Sequence, residues 1–461
     1  MYALNRLLGP DIAELVASRR YDQIRAALIE FEPADIADLV SGLEGDQAAV
    51  VFRLLPRDLA ADAFSHLSLE QQQDLITHLG TERLASLINE LDPDDRTALL
   101  EEMPAEVAQR LIALLTPEER SITQAIFGYP EESIGRLMTP DYVRVKSEWT
   151  IAEAMEHIRK YGRDAETVNV IYVVDEAGRL VDDLRIRQFL LADPQQTVES
   201  LMDRKFVALR ATDDREEAVH QMQRYDRVAL PVLDSRGMLV GIVTSDDVAD
   251  VAEAEVTEDI QKMGGMQALD APYLESRFGP LVRKRGGWLS VLFVGEMLTA
   301  TAMGYFAGEI ERAVVLALFI PLIISSGGNA GSQASSLVIR AMAVGEVTLG
   351  HWLRVLGREL TTGLALGTIL GSIALARVLF WPTRVALYGE HYALIAATVA
   401  LSLLGVVTFG TFVGSMLPFI FRRFGFDPAA ASAPFVATLV DVTGIIIYFS
   451  LAALLLGGTL L

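Results

Sequence analysis

The chain has no cysteine among its 461 residues and only six histidines. Disulfides and thiolate metal sites are therefore excluded, and no zinc-ligand spacing is present. Basic residues are scarce where charge is densest: residues 1–280 hold 53 acids against 28 bases, a net charge of −25. That balance argues against nucleic acid as a partner, because phosphate binding needs basic patches. A phosphate-cradling G-x-x-x-x-G-K-S/T loop and a nucleophile–base pairing are also missing, so no enzyme activity is expected. The N-terminus, MYALNRLLGPDIAEL, lacks a basic stretch followed by an apolar core. No secretory leader is read from it, and the acidic part is expected to stay in the cytoplasm. Long hydrophobic runs fall within residues 281–461, which carry 8 acids and 11 bases.

From Phe31 to Pro117, helix breakers recur roughly every dozen residues, at Pro33, Asp46, Pro56, Ser68, Gly80, Pro93, Pro104 and Pro117. Between them apolar residues fall at helical spacing, as in QDLITHL and AEVAQRLIALL. Helices this short cannot bury a core alone, which predicts a stacked, superhelical helical domain over 1–130. Two copies of a strand–helix–strand–turn–strand–helix pattern follow. Each opens on LM, and each has a D-x-x-G turn (Asp175 to Gly178, Asp234 to Gly237) between its last two strands. The duplication resembles the tandem CBS pair, an α+β regulatory module, with copies at 131–200 and 201–250. That resemblance implies an adenine nucleotide such as ATP as a ligand, its ribose hydrogen-bonded by Thr244 and Asp247 in GIVTSDDV. The first copy departs at the same place, reading LVDDLRIRQF.

The run SDDVADVAEAEVTEDIQKM crowds acids onto one helix, among them Asp246, Asp247, Asp250, Glu253, Glu255, Glu258 and Asp259. Like charges at helical spacing repel. A divalent ion bridging them to another domain relieves that cost, and Mg²⁺ or Ca²⁺ suits oxygen ligands. A solvated connecting helix is the equal alternative. Five segments follow that are long enough to cross a bilayer: Gly286–Gly308, Val314–Val344, about Leu360–Trp381, Tyr392–Phe421 and Ala429–Leu456. Arg283, Lys284, Arg285, Arg340, Arg354, Arg358, Arg422 and Arg423 flank one side, while Glu309, Glu311, Arg312, Arg384 and Glu390 flank the other. Positive-inside counting puts the N-terminus in the cytoplasm and the C-terminus outside.

The second of these segments is expected to be irregular: Pro321 removes a helical hydrogen bond, and SSGGNAGSQASS is small and polar. The fifth carries Asp441. An ionisable group in hydrocarbon costs a few kcal/mol or more and defaults to a functional role. Glu296 and Glu359 are the competing acids, either as packing partners or as further ion contacts.

PLIISSGGNAGSQ, DPAAASAPFVATLVDVTG and the order of helical repeat, CBS pair, acidic helix and five spans together resemble the MgtE family of magnesium channels. That resemblance implies a homodimer in the lipid bilayer of the cell inner (plasma) membrane, with ten spans around one pore. The second and fifth segments would line it, with Pro321, Gly327, Gly328, Asn329, Gly331 and Thr438 among the lining residues, and Asp441 from each subunit would form the selectivity site. It further implies that the acidic linker, read as residues 251–282, is a plug helix leading to an all-α five-span domain over 283–461. Mg²⁺ ions on the cytoplasmic domains would hold the pore shut. The sensing carboxylates are expected at Asp247, Asp250, Glu255, Glu258 and Asp259, faced by Asp92, Asp94 or Asp95 and by Glu216 and Asp226. An ion-coupled divalent-cation transporter and a non-transporting sensor remain as alternatives. Mn²⁺, Co²⁺ and Ni²⁺ accept the same oxygen ligands as Mg²⁺.

Overall fold

The structure, a computed structural model, describes residues 3–269, 273–274 and 276–460. Contacts divide the chain into two compact units, one ending at Glu253 and the other beginning at Ala254. The first opens with ten short helices between Ala3 and Phe127. The breakers of the sequence are their N-terminal punctuation: Pro33, Pro93 and Pro117 each sit in a first helical turn, where the missing N–H is not needed. Most of these helices pack against the next-but-one, giving a superhelical stack. Ile36, Val51, Phe52, Phe64 and Leu84 are fully or almost fully buried at its centre. Arg96, 1% exposed, ties the end of the stack together. It donates to the carbonyls of Ile88 and Leu91, to the Thr123 hydroxyl, and to the Glu119 carboxylate.

Two three-stranded sheets follow. In the first, β1 (Tyr142–Lys146) pairs parallel with β2 (Thr167–Val174), which pairs antiparallel with β3 (Leu180–Arg185). The second repeats the order with β4 (Leu209–Arg210), β5 (Ala229–Leu233) and β6 (Leu239–Thr244). The duplicated D-x-x-G turns are built identically. Asp175 Oδ1 accepts from the amides of Ala177 and Arg179, Asp234 Oδ1 from those of Arg236 and Met238, and the glycine has φ +79° in both. The first copy's departure has a structural account. Asp182 is fully buried and its carboxylate accepts from the amides of Asp183, Asp203 and Arg204, each at 2.9 Å. Asp183 lies 3.0 Å from the Arg227 guanidinium of the second copy.

The acidic helix spans Ser245–Met263, starting directly from β6. It thus begins earlier and ends well before the 251–282 read from the sequence. Gly264 and Gly265 stop it, Gly265 at φ +74°, a left-handed conformation that closes a helix without a Cβ penalty.

Among its described residues the second unit contains five helices long and apolar enough to cross a membrane. Span 1 is Phe278–Tyr305, span 2 Ile320–Ala343, span 3 Trp352–Leu379, span 4 Tyr392–Arg423 and span 5 Ala433–Leu456. Span 3 starts at Trp352 instead of Leu360. The expected irregularity of the second segment is displaced: Val314–Phe319 forms a 3₁₀ turn, and SSGGNAGSQASS is regular α-helix. Pro321 lies in that helix's first turn, where it breaks no hydrogen bond.

Close backbone contact holds these helices together, as expected where lipid offers no hydrophobic drive between them. Gly363, Gly367 and Gly371 of span 3 face Thr408, Leu404 and Ala400 of span 4. A Cβ on Gly367 would come within 2.8 Å of Leu404 Cα. Gly367→Val should therefore destabilise the protein by at least about 2 kcal/mol through overpacking. Gly357→Ala, with no described atom within 4 Å of the added Cβ, should not. Thermal melts of the two purified variants in detergent check the contrast.

Candidate functional site

Two constellations bear on function, one in each unit. In the second unit Asp441 is half-buried on span 5, and Glu296 of span 1 is the charged group acting on it electrostatically. The two spans meet closely one turn away, where a Cβ on Gly295 would reach Thr438 Cγ2 at 2.9 Å. Thr438 and Thr443 donate their hydroxyls to the carbonyls of Pro434 and Leu439, four residues back, so their oxygens keep lone pairs for other donors.

Span 2 has two unlike faces. Gly327 and Gly331 are buried, the first against Val406 and Val440, the second against Val436 and Gly410, and Gly328 packs on Ala437. Pro321, Ser325, Asn329, Gln333 and Arg340 are exposed on another face of the helix, together with Leu322 and Leu337. The expected lining residues therefore separate, with the glycines on the packed side and Pro321 and Asn329 on the open side. Polar groups at membrane depth are tolerated only against protein or water. Ser335 and Ser332 donate to the carbonyls of Ala431 and Ala433, fixing the start of span 5 against span 2.

In the first unit, acids from three parts of the chain come within electrostatic reach of one another. Asp92 precedes the helix Pro93–Glu102 and Asp94 and Asp95 lie in its first turn, where the helix dipole favours negative charge. Asp246, Asp247 and Asp250 come from the first turns of the acidic helix. Glu166 and Asp141 sit just before β2 and β1. Asp94 is 8% exposed, and its Oδ1 is buried without a hydrogen-bond partner among the described residues. Burial, then the Asp247 charge, raises its pKa well above the ordinary carboxylate value. Burial, then Asp92, lifts Asp95 to about 6 and Glu166 to about 7. Burial also lifts Asp247 to about 6, although the Thr244 hydroxyl, donating to it at 2.6 Å, opposes the shift. Asp141 is raised to about 6 by burial and then Glu119. Asp92 and Asp250 are raised mainly by burial, next by Asp62 and Glu253 respectively.

Asp92, Asp95, Asp247 and Asp250 thus belong to this cluster, as do Asp94, Asp246, Glu166 and Asp141. Glu166 and Asp141 gave no signal in the sequence, because each is a single acid in an ordinary loop. Glu216 instead lies 3.6 Å from His220, one turn along its own helix, and Asp226 caps that helix in a left-handed conformation. Glu255, Glu258 and Asp259 lie on the part of the acidic helix that belongs to the second unit. Glu258 pairs there with Lys262. Among the described residues, no three His, Asp or Glu side chains converge tightly enough to hold a metal ion as they stand.

Family comparison covers both units. The MgtE divalent cation transporter profile matches residues 320–451, the MgtE intracellular N domain 31–132, and the CBS domain 134–192 and 198–254. A protein of Thermus thermophilus, Magnesium transporter MgtE, is 42% identical over 76% of this chain and 75% of its own length. The chain belongs to the MgtE family. A Bacillus subtilis protein of the same name is 30% identical over 74% of this chain and 73% of its own. Among solved structures, the cytosolic domain of the Mg²⁺ channel MgtE in complex with ATP is 39% identical. It matches with a TM-score of 0.51 over 53% of this chain and all of that one. As an MgtE member with five candidate spans, the chain is a multi-pass membrane protein.

The raised carboxyls bind protons more tightly in the folded chain than in the unfolded one. Their stabilising contribution is complete below the unfolded pKa of about 4 and is lost as pH rises through about 6 to 7. With divalent cations chelated, the first unit should melt lower at about pH 7.5 than at about pH 5, and Asp94→Asn should narrow the gap. Calorimetry across that range checks both; a melting temperature that climbs with pH would contradict the account.

Proposed function

We propose that the protein conducts Mg²⁺ passively into the cell through a pore with Asp441 as its selectivity site, and that Mg²⁺ on the acidic cluster closes it. The observation that carries this reading is a half-buried carboxylate on a membrane-spanning helix, in the same unit as the open polar face of span 2. Mg²⁺ dehydrates reluctantly, so Asp441 would accept hydrogen bonds from the ion's retained waters. A double charge entering an inside-negative cell gains about 4.6 kcal/mol per 100 mV, enough to drive influx without ATP hydrolysis. The polar face of span 2 is unsuited to lipid, which favours a homodimer in which a second copy or a water-filled path covers it. Flanking arginines and lysines favour an N-terminus in the cytoplasm and a C-terminus outside, and passive cation influx suits the inside-negative cell inner membrane.

Closure follows from charge. The cluster collects carboxylates whose mutual repulsion and burial a divalent cation would relieve, and the acidic helix that supplies three of them runs on in sequence to span 1. ATP is the nucleotide named with the solved relative, and Thr244 and Asp247 are the groups that would meet its ribose in this chain.

Glu296 beside Asp441 favours one further reading, an ion-coupled transporter in which the two acids carry a proton or sodium ion. Flux into liposomes separates the readings. Wild type should pass Mg²⁺ at low internal Mg²⁺ without a pH or Na⁺ gradient, and Asp441→Ala should lose at least tenfold. Flux that requires a pH or Na⁺ gradient would favour coupling, and flux indifferent to Asp441 would move the selectivity site. Neutralising Asp247, Asp250 and Glu258 together (D247N, D250N, E258Q) should leave the pore open at high internal Mg²⁺. Unchanged closure in patch recordings of that triple variant would reject the sensing assignment.

A further inference from the structure

The C-terminal end of the acidic helix and the residues just past it are seated on span 1 at Lys284 and Trp288 and on the residues that open span 5, and all of these groups lie in the second unit. Lys262 Nζ donates to Asp427 Oδ2 at 2.6 Å and also pairs with Glu258, one turn back on its own helix. Asp427 is in the short connection between spans 4 and 5. Its other oxygen accepts from the Ala429 amide at 2.8 Å, shaping the turn that leads to span 5. Just past the helix, Gly265 packs so closely on Trp288 of span 1 and Pro434 of span 5 that a Cβ would reach them at 3.1 and 3.0 Å. The chain then runs alongside span 1, where the Gln267 amide donates to the Lys284 carbonyl.

We infer that Lys262 is a built-in cation that holds the end of the acidic helix against the mouth of span 5 by bridging Glu258 and Asp427. Charge explains why a cation is needed there. Without one, two carboxylates from different elements would face each other across the seat and push the helix away. With the ammonium between them they are drawn together, and Glu258 at i−4 steers the flexible lysine stem toward Asp427. The trio is only partly exposed, with side-chain accessibilities of 29%, 26% and 36%, so water screens the attraction without abolishing it. A covalently attached ammonium is present at every Mg²⁺ concentration. Lys262 therefore sets a resting bias toward the seated helix, on which Mg²⁺-dependent closure is superimposed. That last step rests on the reading that the acidic helix governs the pore.

Amide hydrogen exchange over residues 256–269 of the purified full-length protein, with divalent cations chelated, tests the tether directly. Lys262→Met keeps the apolar stem and removes the charge, and it should speed exchange about threefold, the size expected of a partly exposed ion pair. Asp427→Asn should do the same, Lys262→Arg should stay near wild type, and the double variant K262M/D427N should be no faster than either single one. Exchange in Lys262→Met equal to wild type would overturn the tether, as would equal acceleration by Lys262→Arg. Melting at the wild-type temperature in the unaltered first unit confirms that the variant folds. Mg²⁺ flux into liposomes at intermediate internal Mg²⁺ gives the second readout, where Lys262→Met should pass more than wild type. Faster exchange with unchanged flux would uphold the tether and reject the acidic helix as the closing element.

Discussion

Carboxylates taken out of water and placed near one another are the constraint to which both units answer. A buried negative charge is costly unless a cation, a proton or a set of hydrogen bonds compensates it. The chain uses each of these compensations somewhere. Asp182 accepts from three backbone amides, Asp183 faces the Arg227 guanidinium although burial still lifts it to about 6, and Glu258 and Asp427 share the Lys262 ammonium. At Asp94 and its neighbours the fixed compensation is incomplete, and the carboxyls shift toward holding protons instead. A group left in that condition is one whose charge an added cation would relieve, whereas the Asp182 oxygens are already taken up by amides.

The proposed closure has a workable magnitude. One ion present at a hundredfold excess over its dissociation constant stabilises the arrangement it binds by about 2.7 kcal/mol. Two such ions approach the ~5.5 kcal/mol that carries a two-state population from 1:99 to 99:1. The cluster draws its acids from the helical stack, the loops before β1 and β2 and the acidic helix, so an ion bound among them would join separate parts of the first unit.

Architecture was largely legible in the sequence because it is written in periodicity. The prolines at helix starts, the doubled LM and D-x-x-G signatures and the five apolar runs each have a local physical cause, and the corresponding elements formed. Boundaries were less legible where tertiary context decides. Charge and helical spacing alone carry the acidic linker on to residue 282, whereas a left-handed Gly265 stops the helix at Met263. The glycines of span 2 suggested a broken helix, but they are the small residues that let spans 2, 4 and 5 touch. Glu166 and Asp141 could not be foreseen, since a lone acid before a strand acquires meaning only from what the fold places opposite it. Asp226 shows the reverse: its place as the left-handed cap of a helix is a local role that the acid's identity alone does not reveal.

Spans 3 and 4 lie backbone to backbone along three successive turns of glycine, so neither can shift without prising the other loose. Span 1 has no comparable attachment among the described residues and buries only Leu292 within the chain. In mechanical terms the pair of spans 3 and 4 is the fixed frame and span 1 the loosely hung member. The acidic helix precedes in sequence the span that the rest of the chain grips least, so of the five it is the one a pull from that helix would have least packing to overcome.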